Sequence, residues 1–587
     1  MLSGLLISTS LVQRNPNVTG DGLQYTTVVF NWLQGHGYRN LPNMTWLAEP
    51  GYGLLTYGIY LIVRDAELAG MLVSLIAYVL LIPAVYVTTR RLASWQAAWI
   101  AAFTITFYPY LITFSWLNLT DSVYTLFVFL CFSVYVHILL EGAGLISSIC
   151  LGILLGCATL IRPEGYGITI LAYASLWVVQ GYETVKRKPQ QYMAYLRAWR
   201  FTLLSGLVFI LVVFPFVFFI YHISGSWVIT PKINYLVVAS QPSSAAGLLP
   251  LPNASATTHT TQPKAQEGIA ATPPAESSPK RTTPLDLMPL SFERIGNNIG
   301  GWLSYFWMMS LQALLPLVML ALVYMLSDAM SSKSSQKSTA QRKKTKSHSK
   351  QLSTSSFWKQ RGGSARDWKI ILALAVFFAT SGVYLTTNLM YRYLMPYMVY
   401  VLILISIIIS HLLDNLQIRF SLKSPVMGML LVGSLYLFTL SQPGTSFLAR
   451  MFSLPNMVSI PQALDIKHLN LSARDAGIWM RENLDIQEDV FIASSKNTQN
   501  GCYLILFQLF NRELPIKGRC VSAFTQDEVN RFLQAGGDYY ILDNDSINYI
   551  QEMRPLWENP ILGQQNNLSL VYQDPQNTFQ VYRSLYK

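Results

Sequence analysis

Charge is scarce in this chain. Asp, Glu, Lys and Arg make up 12% of its 587 residues, where a soluble domain carries roughly a quarter, and apolar residues make up 52%. An ordinary soluble protein is excluded, because that much apolar mass needs lipid as its solvent. A glycine-rich nucleotide loop, a histidine pair at metal-ligand spacing and a nucleophile elbow are missing as well. His36 and His222 stand alone outside the apolar runs, as structural histidines do. No internal repeat of the kind that marks many transporters is visible. Of the five cysteines, Cys131, Cys150 and Cys157 lie inside apolar runs. Cys502 and Cys520 lie outside them, and their spacing leaves open whether their Cα atoms approach closely enough for a disulfide.

The apolar residues fall in blocks of about 17 to 22, nearly free of charge, the length a helix needs to cross a hydrocarbon layer of about 30 Å. Such blocks cover 67–88, 96–114, 120–140, 145–161, 165–181, 202–221, 303–326, 369–387, 394–413 and 425–441. Residues 1–12 form a further run, but a dozen residues cover only about 18 Å. Either this helix is short or the true start lies upstream. The expected fold is thus an α-helical polytopic membrane protein of about eleven transmembrane helices over 1–441, with a small α/β domain over 470–587.

Every second loop is basic. Arg90 and Arg91 follow one span, Lys186 to Lys188 another, and a dense run from Lys333 to Arg366 a third. Cytoplasmic loops retain Lys and Arg, so the N-terminus is expected inside. The loops at 13–66, 115–119, 162–164, 222–300 and 388–393, and everything after 442, are then extracytoplasmic. The net charge of +12 is mostly this topology signal and calls for no nucleic-acid partner. Residues 241–284, rich in Ser, Thr, Pro and Ala, read as a mobile outer loop, and 329–366 as a solvated basic loop beside anionic lipid head groups. Protease supplied at the cytoplasmic face is expected to cut between Lys333 and Arg366, and cleavage from the opposite face alone would invert the topology.

The tail changes character. SARDAGIWMREN reads as an amphipathic helix, DVFIAS and DYYILDN as buried strands, and TQDEVNRFLQAGG as a helix ending in Gly. Sequons at Asn17, Asn43, Asn118, Asn253, Asn470, Asn544 and Asn567 all fall outside by this topology, although such tripeptides also arise by chance.

Four acids gather at the outer ends of helices: Asp21, Glu49, Asp121 and Glu164. Asp21 opens an apparent amphipathic helix, where an N-cap is the local alternative. Glu49 precedes Pro50, which can open a helix whose dipole a carboxylate complements. Asp121 and Glu164 repeat that arrangement. Four independent capping acids would explain each one singly but not their common side.

The order of DGLQYTTVVFNWLQGHGY, EPGYGLL, TDS, GILLGCATLIRPEG and YRYLMPY along the chain resembles the GT-C superfamily of membrane glycosyltransferases, which includes protein O-mannosyltransferases and lipid A aminoarabinose transferases. The likeness is good over 1–181 and architectural beyond. It implies a polyprenyl-phosphate sugar donor, an acceptor on a glycan, lipid or protein, and transfer at the extracytoplasmic face of a cell membrane. It carries the essential acid of the first outer loop over to Asp21, the second acidic motif to Glu49 and the acid heading a later span to Asp121. Pro50 and Gly51 follow Glu49 where the family often has a basic residue.

The chemistry suits these residues. A sugar phosphate already has a good leaving group, so a base for the acceptor hydroxyl and cations for the phosphate suffice. Asp21 would be the base and the anomeric configuration would invert. Inverting glycosidases need a second carboxylate because their leaving group is poor. Arg392, between Tyr391 and Tyr393, is placed to bind phosphate bidentately, or else to snorkel within an aromatic belt. Arg162 and Lys232 are secondary phosphate candidates, and Arg162 has the alternative of pairing with Glu164. No metal ligand is assigned, although carboxylates at an outer surface can hold a divalent ion. A transporter or flippase, or a noncatalytic scaffold, are the competing readings. Charges at mid-depth would favour the first, and indifference to loss of Asp21 the second.

Overall fold

A computed structural model of the chain describes residues 20–35, 37–38, 48–186, 192–224, 227, 229–230, 299, 303, 364–381, 391–415, 471–484, 490–494, 499–510, 519–523, 525–544, 554–575 and 577–585. The apolar blocks at 1–12 and 425–441, nearly all of 303–326, and the loops 241–284 and 329–366 lie outside these residues.

The membrane module is a bundle of eleven described helices: α1 (Gly20–Leu33), α2 (Pro50–Val63), α3 (Ala66–Leu92), α4 (Trp95–Phe107), α5 (Pro109–Ser115), α6 (Thr120–Glu141), α7 (Leu145–Ile161), α8 (Gly165–Lys186), α9 (Tyr192–Ser224), α10 (Ser364–Ala379) and α11 (Tyr391–Asn415). Four of them contain stretches long and apolar enough to cross a membrane: Ala66–Leu92, Thr120–Glu141, Trp199–Ile223 and Tyr393–Ser410. The block expected as one span over 96–114 is broken. Tyr108 takes an extended conformation (φ −72°, ψ 117°), as the residue before a proline prefers, and Pro109 starts a second, short helix.

Close packing follows from small residues. A Cβ at Gly152 would meet the Ser205 carbonyl oxygen at 2.4 Å, and one at Gly156 would meet Val212 Cγ1 at 2.6 Å. The GILLG stretch of α7 therefore lets α9 approach to backbone contact, the small-residue packing used where lipid supplies no hydrophobic drive.

The bundle has two chemically different ends. At one, Arg90 and Arg91 close α3, Ser94 before α4 meets Ser410 of α11 at 2.8 Å, and Lys369 of α10 reaches the Leu139 carbonyl of α6 at 2.9 Å and pairs with Glu183 of α8. At the other lie the start of α6, the end of α7 and the start of α8, so Asp121, Arg162 and Glu164 share one level. Glu67, in the first turn of α3, is at this end as well.

The tail is an α/β unit: α12 (Leu471–Asn483), β1 (Phe491–Ser494), α13 (Gln499–Phe510), β2 (Arg519–Ser522), α14 (Gln526–Gln534), β3 (Tyr539–Asp543), α15 (Arg554–Glu558), β4 (Leu568–Gln573) and β5 (Phe579–Ser584). The strands form one mixed sheet in the order β2-β1-β3-β5-β4, parallel across the first three and antiparallel thereafter. A capping box between Thr525 and Glu528 starts α14, and Gly536 leaves it at φ 82°. Cys502 and Cys520 form a disulfide with their Cα atoms 6.2 Å apart, joining α13 to β2.

The helix opened by Asp21 departs from the amphipathic reading. Nearly every residue of α1 from Leu23 to Asn31 is buried. Tyr25 meets Tyr52 of α2 edge-on, Val28 and Val29 pack with Phe216 and Ile220 of α9, and Leu23 and Phe30 share an apolar cluster with the C-terminal unit. Partners on several sides replace the single wet face that periodicity suggests. Of the sequons, Asn118 has a fully buried side chain, whereas Asn544 and Asn567 are exposed on the C-terminal unit. Asn17, Asn43, Asn253 and Asn470 lie outside the described residues.

Candidate active site

The site end of the bundle is built on an ion pair without solvent. Asp121 sits in the first turn of α6 and Arg162 directly after α7, the next, antiparallel helix, so the loop geometry alone brings them level. Arg162 Nη1 donates to Asp121 Oδ1 at 2.9 Å, with Asp121 1% and Arg162 2% exposed. Glu164 Oε2 stands 3.8 Å from Arg162 Nε. Arg162 thus pairs with Glu164, its near neighbour in sequence, and more closely with Asp121, a partner that the sequence reading did not name. Its guanidinium lies 5.0 Å from the ring centre of Tyr393 and 5.5 Å from that of Tyr124. A charge this desolvated persists only when paired and hydrogen-bonded.

Glu49 occupies the N-cap position of α2 but makes no capping hydrogen bond. Its buried carboxylate accepts instead from the Thr230 hydroxyl, beyond the end of α9. Tyr166 of α8 donates to the adjacent Ile229 carbonyl at 3.0 Å. Tyr38 donates to the Ala48 carbonyl next to Glu49, and burial, then the charge of Glu49, push its phenol well above the usual range and keep it a neutral donor. A Cβ on Gly51 would meet the Leu160 carbonyl oxygen at 2.7 Å, so glycine seats the start of α2 against the end of α7, beside Arg162. Capping therefore does not account for Glu49 or Asp121.

Asp21 lies within the first turn of α1, half-buried, rather than at its cap. One turn on, Tyr25 touches Tyr52, and Thr26 lies 3.5 Å from Asn118 Oδ1. Asn118, which the sequence marked only as a sequon, is the hub of this contact. Its Oδ1 lies 2.8 Å from Tyr52 Oη, whose one proton it shares as acceptor with the Gly70 carbonyl at 3.0 Å. Ser74 holds the Leu119 carbonyl at 3.0 Å, and a Cβ on Gly70 would strike the Asn118 amide at 2.3 Å. This network joins α1, α2, α3 and the strand-like approach to Asp121. Its place three residues before a helix-heading acid is the signal that could have found it.

Direct contacts thus unite Asp121, Arg162, Glu164 and Tyr393, with Glu49 against the same helix junction and Asp21 on the helix alongside. Tyr391 and Arg392 open α11, one turn or less from Tyr393, but their side chains lie outside the described residues, as does Lys232. Between Asp121 and Glu164 the Arg162 guanidinium takes the place a bridging cation would occupy. Among the described residues no group of three His, Cys, Asp or Glu side chains converges as a metal centre would.

The chain is similar over nearly its whole length to ArnT from Cupriavidus metallidurans bound to undecaprenyl phosphate, with 12% identity, 99% of this chain and 96% of that one covered, and a TM-score of 0.50. It is also similar to apo ArnT from the same organism (12% identity, 99% and 96% covered, TM-score 0.49) and to the Archaeoglobus fulgidus oligosaccharyltransferase in complex with Zn and sulfate (14% identity, 98% and 72% covered, TM-score 0.46). No protein-family model and no curated protein matches the sequence. At such identity the likeness is one of fold: over nearly its whole length the chain shares the fold of the ArnT structure that holds undecaprenyl phosphate.

Proposed function

We propose that the protein is an inverting glycosyltransferase that moves a sugar from a polyprenyl-phosphate donor to a hydroxyl acceptor at the extracytoplasmic face of a cell membrane. The observation that carries this reading is the buried Asp121–Arg162 ion pair at one end of the bundle, with the partly buried Glu164 beside it and Glu49 and the helix of Asp21 set around it. Polar groups are expensive at membrane depth and mark function by default. The shared fold supports the reading, since the similar ArnT structure holds undecaprenyl phosphate. The basic far end of the bundle supports the orientation.

In this mechanism the acceptor's hydroxyl oxygen bonds to the anomeric carbon as the Asp21 carboxylate takes its proton. The bond from that carbon to the phosphate oxygen breaks, its electron pair leaves with the lipid phosphate, and the configuration inverts. Arg392 holds the departing phosphate. Asp121 and Arg162 neutralise one another and keep the floor of the site rigid, with Tyr393 against the guanidinium. A divalent ion, if one serves the enzyme, would add cationic charge at the leaving phosphate.

The deciding experiment is transfer of labelled sugar from polyprenyl phosphate by purified protein, alongside mass spectrometry of surface glycans from cells with and without it. Donor binding without turnover would favour transport. Arg392→Ala is expected to raise donor KM or lower the rate by about tenfold or more with little loss of stability, because a bidentate phosphate contact is charge-assisted and an interfacial Arg adds little to folding. Unchanged kinetics would return Arg392 to the aromatic belt.

A further inference from the structure

The C-terminal unit meets the bundle through a second buried ionic contact, which the mechanism above does not use. Glu67 of α3, 3% exposed, accepts from Arg474 of α12 at both oxygens: Nε at 3.0 and 3.2 Å, Nη2 at 3.0 Å. Gln508 of α13, 1% exposed, donates to the same Glu67 Oε2 at 3.1 Å. Asp475 flanks Arg474 at 3.5 Å, and Arg481 Nη1 fixes the Gln508 carbonyl at 3.0 Å. Burial opposes the Arg474 charge, and Glu67 outweighs that opposition.

The apolar seam around the pair contains α1 itself. Leu23, Phe30, Tyr60 and Ala69 form one buried cluster with Met480 and Ile505. Phe30 lies 5.2 Å from the Tyr57 ring and 5.1 Å from that of Tyr60. Gly477 allows α12 to meet α13 at Ile505 and Gln508, and the Cys502–Cys520 disulfide ties α13 to the sheet. The unit thus presses one side of α1 while α2 and α9 hold others. Glu67 makes docking all-or-none, because partial separation would strand a desolvated carboxylate without its bidentate partner.

We infer that the Glu67–Arg474–Gln508 contact is a clamp by which the C-terminal unit positions α1, and through it Asp21, for transfer; the link to transfer rests on the function proposed above. These are positioning residues that touch no substrate.

The test uses full-length protein in lipid nanodiscs, with hydrogen exchange measured in 20–33, 499–510 and, as a control within the unit, 526–534. Transfer is assayed with undecaprenyl phosphate linked to mannose or to aminoarabinose. Arg474→Ala should raise exchange in 20–33 and 499–510 about tenfold or more, leave 526–534 protected, and lower kcat about tenfold with donor KM little changed. The exchanged pair Glu67→Arg with Arg474→Glu should restore both, since Gln508 can turn its amide to present oxygen to Arg at position 67. Unchanged exchange in 20–33 overturns the clamp, and so does loosened exchange with normal kcat, because α1 would then not need holding. If the wild type transfers neither sugar, the functional reading fails, and the exchange measurements alone decide whether the unit clamps α1.

Discussion

Asp21→Asn is expected to abolish transfer while the protein stays folded. Asn matches Asp in shape, and the loss of a carboxylate's interaction with the helix dipole in the first turn of α1 costs about 0.3–1 kcal/mol. The packing of Leu23, Val28, Val29 and Phe30 is untouched by the change. An amide cannot take the acceptor's proton, however, and loss of a general base costs about 10² to 10⁴ in rate. Where Asp21 also orients the acceptor, the loss falls at the upper end. Labelled-sugar transfer and thermal stability measured on the same samples decide the matter. A mutant of normal stability that transfers at a near-normal rate would leave Asp21 a helix-terminus acid and remove the base from the mechanism.

Arg162→Ala has the second large effect, and there stability and activity should move together. The change strands Asp121 without its 2.9 Å partner in a place with almost no water, at a cost of about 3–5 kcal/mol. Ring contacts to Tyr124 and Tyr393 go with it. Replacing both partners, Asp121→Asn with Arg162→Met, should recover most of the stability, since an ion pair exchanged for uncharged groups of similar volume is often neutral. The double variant should nevertheless transfer no sugar. Denaturation midpoints and initial rates separate stability from transfer, and a stable, active double variant would show that transfer does not need the charged pair in the floor of the site.

Much of the bundle is legible because lipid imposes a length on its helices. The run at 145–161 is bounded by Gly144 and by Arg162-Pro163, and α7 ends at both limits. Residues 96–114 mislead because hydropathy averages across Pro109, whose steric effect on Tyr108 breaks the helix regardless of polarity. In the tail, the helix at 526–534 announces itself by its capping box, whereas α13 (QNGCYLILFQLF) is apolar on most sides and carries no period to distinguish it. The strands LSLVYQ and FQVYRS find their place only through antiparallel pairing with each other and with β3. In the site, Glu49 and Asp121 stand out as acids where lipid begins. Their partners do not, since Thr230 lies 181 residues from Glu49 and Arg162 lies 41 from Asp121. The second pairing was nonetheless available: one helix begins with an acid, and the next, antiparallel helix ends in a base.

The crowding of α1 has a consequence for the order in which the protein is made. Its apolar side chains wait for Phe216 and Ile220, and then for Met480 and Ile505, which lie far later in the chain. At about 5–20 residues per second, the ribosome reaches Ile505 roughly 25–100 s after Asp21 has been translated. The helix that carries the proposed base is therefore among the first elements synthesised and the last to acquire all its neighbours. A nascent or truncated chain would hold the Asp121–Arg162 pair before it held a finished α1, so by the proposed mechanism catalytic competence would arrive only with the completed protein.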